Sequence, residues 1–395
     1  MLKELKKVFK EFGIASSAYG IPNFFRSKRL YQKILWIVFI LSSTFISYFL
    51  VRDSILDYLE YKVVTITQSV YEQPSEFPTI TLRGYSDEYF KNKTPREIIK
   101  ECYFGYNLDC NQNPNNYFDY YSVDYLGYYF RFNNGKNFSN HSIPILNSTI
   151  GGIDDSLSIR IDKNQDMAIW IHNRTQPPSF IYENSHYKGR IFISSNSYTE
   201  VTIERVVEIK LGEPYNDCLD DVSKFKYNKT IINYIRKSKQ TYSQQKCLEL
   251  CFDIDYIETN RCNCTNSTVG NVWQNCWINL ENKTKNTCTW KHKIDFYSKS
   301  IVEKCASYCP LECTSISFNI QTSTMSNYNS TRVRIYYGSL KYTLILQEAK
   351  MHFIDMISNI GGTFGLLIGF SFITFFEIFE LLVEITIRIL NKSSI

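Results

Sequence analysis

Residues Met356 to Phe376 form twenty-one consecutive positions without a charge, and they constrain the fold more than any other stretch of the chain. At about 1.5 Å per residue a helix of that length covers about 30 Å, one hydrocarbon thickness, so it can span a bilayer. It is nevertheless poorly suited to lipid on every side. Gly361, Gly365 and Gly369 recur every fourth residue, Ser371 follows, and Glu377, Glu380 and Glu384 come next at helical spacing. Glycines four apart permit close helix packing. Combined with a hydroxyl and acids downstream, they also permit a break at Gly369 to Ser371 that turns carbonyls toward an aqueous path, because free backbone is tolerated at membrane depth only against water or protein. On a continuous helix Glu377 lies about one membrane thickness from Met356, near the inner interface, where three acids can concentrate cations. A solvated helix end is the plainer reading of the same acids.

A second uncharged apolar run covers residues 34–51, and eight Lys or Arg precede it within residues 1–33 against Glu4 and Glu11. By the positive-inside rule the N-terminus is cytosolic. The long polar lead and the lack of a small-residue cleavage site mark the run as a signal anchor rather than a cleaved leader. With Trp36, Phe39, Phe45, Tyr48 and Phe49 it reads as lipid-facing. Two spans place both termini in the cytosol and leave residues 52–355 outside the cell or in the secretory lumen. The expected order is a cytosolic segment over 1–33, a first span over 34–51, an exterior domain over 52–355, a second span over 356–380 and a cytosolic tail over 381–395.

All twelve cysteines fall in the exterior portion, an even number where disulfides persist. Ten Asn-x-Ser/Thr sequons lie there too, which makes the chain a glycoprotein. Cys247 and Cys251 are four apart, and Cys305, Cys309 and Cys313 repeat that spacing, so each set can line one face of a helix and two antiparallel sets can be bridged like rungs. A zinc cluster is the alternative for such short spacings. Runs rich in β-branched and aromatic residues over 63–70, 79–82, 156–161, 167–171, 190–194 and 198–211 predict a mainly antiparallel sheet, and 314–321 and 331–348 return to strand character. Thr94 to Lys100 predicts a short capped helix, and the Tyr- and Asn-rich stretch 103–140 a glycosylated insertion. No nucleophile elbow, phosphate loop, dinucleotide fingerprint or histidine ligand spacing is present, so the chain reads as no enzyme, and its net charge of +5 does not suggest nucleic acid.

GGTFGLLIGFS followed by Glu377 resembles the second-span signature of the degenerin/epithelial sodium channel superfamily, amiloride-sensitive channels that include acid-sensing and peptide-gated members. The likeness extends through SSAYGIP, FPTITL, CYFGYNLDC, FRFN, EPYNDC, CASYCPLEC and RIYYGSLKYTLI running into SNIGG. It implies a membrane protein with two transmembrane helices per subunit and a large disulfide-rich α+β ectodomain (a β palm, a helical thumb over about 218–313, finger and knuckle elements and a β-ball), assembled as a homotrimer or as a heterotrimer with paralogous subunits.

The implied function is a sodium-preferring plasma-membrane channel gated by an extracellular peptide, proton or other ligand, with permeant Na+ and no cofactor. A two-span receptor or a non-conducting accessory subunit is the rival. The implied selectivity filter is Gly369, Phe370 and Ser371, the outer gate Ser358, the N-terminal gating segment Tyr19 and Gly20, and the wrist coupling Tyr61 with Tyr215. The implied disulfides are Cys102–Cys110, Cys218–Cys313, Cys247–Cys309, Cys251–Cys305, Cys262–Cys288 and Cys264–Cys276. Arg83 and Tyr129 stand where the family has cysteines, which implies that one whole disulfide is absent. Tyr19 stands where the family has histidine.

Overall fold

A computed structural model describes residues 2–18, 20–84, 93–106, 108–123, 127–161, 165–175, 190–219, 221, 229–238, 241–259 and 301–393. The chain divides into two compact units, residues 1–64 with 349–395, and residues 65–348.

In the first unit, α1 (Leu2–Ala15), α2 (Ile21–Arg26) and α3 (Leu30–Leu59) follow one another. Among the described residues α3 is the one helix long and apolar enough to cross a membrane by itself. Ser47 is its single buried side chain, and Leu35, Val38, Phe45 and Tyr48 on its other faces are exposed. That exposure suits a helix solvated by lipid.

The second unit is built on an eight-stranded sheet ordered Val63–Tyr71, Lys341–Ala349, Tyr198–Ile209, Thr331–Tyr337, Leu157–Ile161, Ile99–Phe104 and Leu108–Asp109, with Thr314–Met325 also pairing Tyr198–Ile209. Most of its pairings are antiparallel, as expected, and two are parallel. Tyr198–Ile209 runs antiparallel to Thr314–Met325 along its whole length, yet parallel to both Thr331–Tyr337 and Lys341–Ala349. Strand direction depends on crossovers between distant segments, which local alternation does not encode.

A five-stranded sheet, Arg190–Ile193, Met167–His172, Thr79–Gly84, Gly127–Phe132 and Phe118–Val123, shares one apolar core with the first, in which Ile80, Ile169, Phe130 and Phe132 meet Ile159, Val201 and Ile335. The stretch 103–140 is thus part of this core, not an insertion. Phe118, Phe130 and Phe132 are fully buried, and Asn133 at φ 59° donates to the Phe77 carbonyl and accepts from the Leu146 N–H at 2.7 Å. The short helix α4 (Pro95–Ile98) starts where Thr94 donates its N–H to the Glu97 carboxylate at 2.6 Å.

Three further helices follow, α5 (Lys229–Ser238), α6 (Gln244–Thr259) and α7 (Ile301–Tyr308); α6 carries Cys247 and Cys251, and α7 carries Cys305 with Cys309 just past its end. Disulfides join Cys247 to Cys309 and Cys251 to Cys305, so the four-residue spacing forms two rungs, and Cys218–Cys313 ties the adjoining strand pair Cys218–Leu219 and Leu311–Glu312. Cys102–Cys110 closes a separate eight-residue loop. Cys262, Cys264, Cys276 and Cys288 lie outside the described residues. The Arg83 guanidinium sits 5.7 Å over the ring of Tyr129, which is fully buried and also packs on Trp170. A cation–π contact therefore joins the two strands at those positions.

Candidate functional site

Within the first unit, the stretch Met356 to Phe376 is not one helix. It divides into α8 (Phe353–Ile368) and α9 (Phe372–Ser393), and Phe353–Ile368 meets Phe372–Ile387 at a bend of 75°. The two pass as a span only together, and the axial distance from Met356 to Glu377 expected of a straight helix does not apply.

Local chemistry explains both sides of the break. α8 stops at Gly369, whose φ of 68° and ψ of 23° are left-handed, a conformation that costs an L side chain roughly 1 to 2 kcal/mol and glycine nothing comparable. The N–H groups of Gly369 and Phe370 both reach back to the Phe364 carbonyl, the latter at 3.1 Å, and the Phe364 and Phe370 rings meet edge-on at 6.4 Å. The last carbonyls of α8 therefore lie beyond the helical ladder.

α9 restarts with a reciprocal cap. Thr374 N–H donates to the Ser371 hydroxyl at 3.4 Å, and Ser371 N–H donates to the Thr374 hydroxyl at 3.1 Å. These hydroxyls take up N–H groups at the positive end of α9, while the carbonyl end of α8 faces the break and favours a cation.

The N-terminal segment reaches this point. The Ser17 hydroxyl lies 2.6 Å from that of Thr374, and Ser17 donates its N–H to the Glu377 carboxylate at 2.9 Å and its hydroxyl to the same oxygen at 3.2 Å. Thr374, 2% exposed, is the hub of the cluster. Glu377 thus accepts two hydrogen bonds from Ser17. Glu380 is exposed and Glu384 half-buried on α9. Gly20, at φ 85°, lies against α3, where an added Cβ would meet Ile40 at 3.0 Å and Trp36 at 3.6 Å. Tyr19 is outside the described residues.

At the opposite end of α8, Ser358 is exposed, and a Cβ added at Gly361 or Gly362 would meet nothing within 4 Å, so packing inside this chain does not require those glycines. Asp355 accepts the His352 N–H at 2.9 Å in the first turn. Tyr58 of α3 packs on Phe353 at 6.2 Å, and the Lys350 N–H donates to the Lys62 carbonyl at 2.8 Å. Glu60 and Asp57 beside Lys62 raise its pKa above the usual lysine range. Tyr61 has φ 49° and a ring 6.2 Å from Tyr58, while Tyr215, in the other unit, closes a turn onto the Gly212 carbonyl at 3.0 Å. Neither Ser17 nor Thr374 was expected from sequence. The Ser-x-x-Thr spacing of a cap was available at 371 and 374, but the Ser17 contact links residues 357 apart and has no local signature.

An apolar helix followed by a disulfide-braced, β-rich unit and a broken apolar helix pair is the arrangement of a membrane channel subunit. A family model described as "Amiloride-sensitive sodium channel" matches residues 12–82 and 85–381, and the chain belongs to that family. It is 22% identical over 332 residues to the epithelial sodium channel subunit beta of Homo sapiens, covering 73% of this chain and 47% of that one. It is 20% identical over 466 residues to the human bile acid-sensitive ion channel, covering 96% and 86%. The chain spans about half the length of the epithelial sodium channel beta subunits first among its relatives. A cryo-EM structure of a proton-activated chloride channel superposes with a TM-score of 0.37 at 10% identity over 89% of this chain and 98% of that one, a likeness too loose to bear on the fold.

Proposed function

We propose that the chain is a subunit of a sodium-preferring, amiloride-sensitive cation channel of the plasma membrane, with both termini cytosolic. The observation that carries this reading is the double-capped break at Gly369 to Ser371, which leaves the last carbonyls of α8 outside the helical ladder in the middle of an uncharged apolar stretch. In a trimer, homomeric or with paralogous subunits, three copies of Gly369, Phe370 and Ser371 replace part of the hydration shell of permeant Na+. Ser358 lines the outer gate, and Glu377, Glu380 and Glu384 raise the local cation concentration further in. An extracellular ligand, a peptide or protons, gates the pore through the disulfide-braced helices. The strand Lys341–Ala349, three residues before α8, acts as the lever.

Voltage-clamp recording in oocytes tests this, with amiloride and with Ser358→Cys treated by a bulky thiol reagent. Amiloride-blocked sodium current that the reagent makes sustained is expected. Unchanged current at normal surface expression would overturn the gate assignment. Current only on co-expression of a paralogue would make the chain an accessory subunit, and ligand binding without any conduction would make it a receptor.

A further inference from the structure

Beside the break the first unit holds a half-open cavity of about 160 Å³. Its walls include Gly20, Trp36, Ile40, Ser43, Leu367 and Ile368, so three separate segments meet there: the turn after Ser17, the middle of α3 and the last turn of α8. We infer that this cavity is a binding site for a small uncharged aromatic molecule carrying one hydrogen-bonding group, a phenol or a benzyl alcohol.

Size, polarity and position each support that ligand class. An apolar protein cavity of about 150 Å³ accepts a single benzene ring. No charged side chain lines the cavity, and an ionised ligand would lose its hydration without compensation. Trp36 and Phe39, whose rings are 6.3 Å apart and tilted by 60°, offer faces and edges to an aromatic guest. Besides the Trp36 indole N–H, the polar side-chain groups of the wall residues are two hydroxyls. That of Thr44 donates to the Ile40 carbonyl at 2.8 Å, whereas that of Ser43 has no partner among the described residues. A lipid chain end would fill the space but leave Ser43 unbonded, and a phenolic O–H or a benzylic hydroxyl would satisfy it. A bound ring would touch Gly20 and Ile368 together, the residues that follow Ser17 and precede Gly369, and so would brace the N-terminal segment against the end of α8. Its effect on current rests on the channel reading, but its binding does not.

The experiment uses the full-length protein in nanodiscs and 4-fluorophenol as the probe, with binding read by ¹⁹F saturation-transfer NMR against excess unlabelled phenol. Saturable binding is expected. Ser43→Ala should weaken it about fivefold, the worth of one hydrogen bond, and fluorobenzene should bind wild type and Ser43→Ala alike. Leu367→Trp and Ser43→Leu fill the cavity from opposite walls, and each should abolish the saturable signal, so a folding defect in one cannot account for both. Equal signals from wild type and the two filled variants would assign the probe to the bilayer and overturn the site. Absence of saturable binding in wild type, whether the cavity is empty or holds a lipid chain, would overturn it as well.

Discussion

The two apolar segments of the first unit solve the membrane problem in opposite ways. α3 runs unbroken for 30 residues with one buried side chain, whereas the second segment stops at Gly369, turns by 75° and starts again at Phe372. Hydropathy alone would make them equivalent. What separates them is the identity of three residues: a glycine able to adopt φ 68°, and a serine and a threonine spaced to cap each other. Ser42, Ser43, Thr44 and Ser47 in α3 are hydroxyls too, but Ser42 and Thr44 bond carbonyls of their own helix and leave its ladder intact.

Converting the broken segment into a copy of α3 should have the largest effect. Gly369→Ala places a Cβ in the left-handed region at roughly 1 to 2 kcal/mol and at the same time favours continuation of the helix. Sodium current per channel at the cell surface should fall on the order of tenfold or more. Current and selectivity equal to wild type would mean that the break does not shape the conducting path.

Thr374→Val comes next. It keeps the volume but removes the hydroxyl that meets Ser17 and Ser371, a loss worth about 1 kcal/mol for the cap alone. The expected outcome is a several-fold drop in sodium-over-potassium preference, read from bi-ionic reversal potentials, with expression intact. A smaller effect belongs to the clamp on Glu377. Ser17→Ala and Glu377→Gln each remove one side of the same contact, so open probability should shift alike in both, and the double variant should add little to either single one. Additive shifts would show that Glu377 acts on ions directly and not through Ser17.

The sequence carried these features unequally. The cysteine ladder was legible as a possibility because two sets of cysteines four apart can face each other and be bridged, while the particular pairs Cys247–Cys309 and Cys251–Cys305 were implied by the family resemblance. The break was legible as a possibility, since glycine and serine sit where a helix can end and restart. Its bend was not, because residues 356–376 pass as one uninterrupted apolar run. The Tyr- and Asn-rich stretch misled for a compositional reason. Its polar letters suggest surface, but Phe118, Phe130 and Phe132 alternate with them and point into the core. Parallel pairing of Tyr198–Ile209 and the approach of Ser17 to Thr374 depend on contacts across most of the chain, which no window of neighbouring residues contains.

The smallest predicted effect comes from α3 itself. Ser47 is 1% exposed and its hydroxyl has no hydrogen-bond partner among the described residues, so the helix carries a desolvated polar group at its one buried position. Removing such a group does not break a bond, and it relieves the cost of burying an unsatisfied hydroxyl. Ser47→Ala should therefore raise the thermal unfolding midpoint slightly or leave it unchanged, with sodium current within twofold of wild type. A marked fall in either would point to a bond from Ser47 to a group supplied by another copy of the chain, so that α3 would share in subunit packing beside the broken segment.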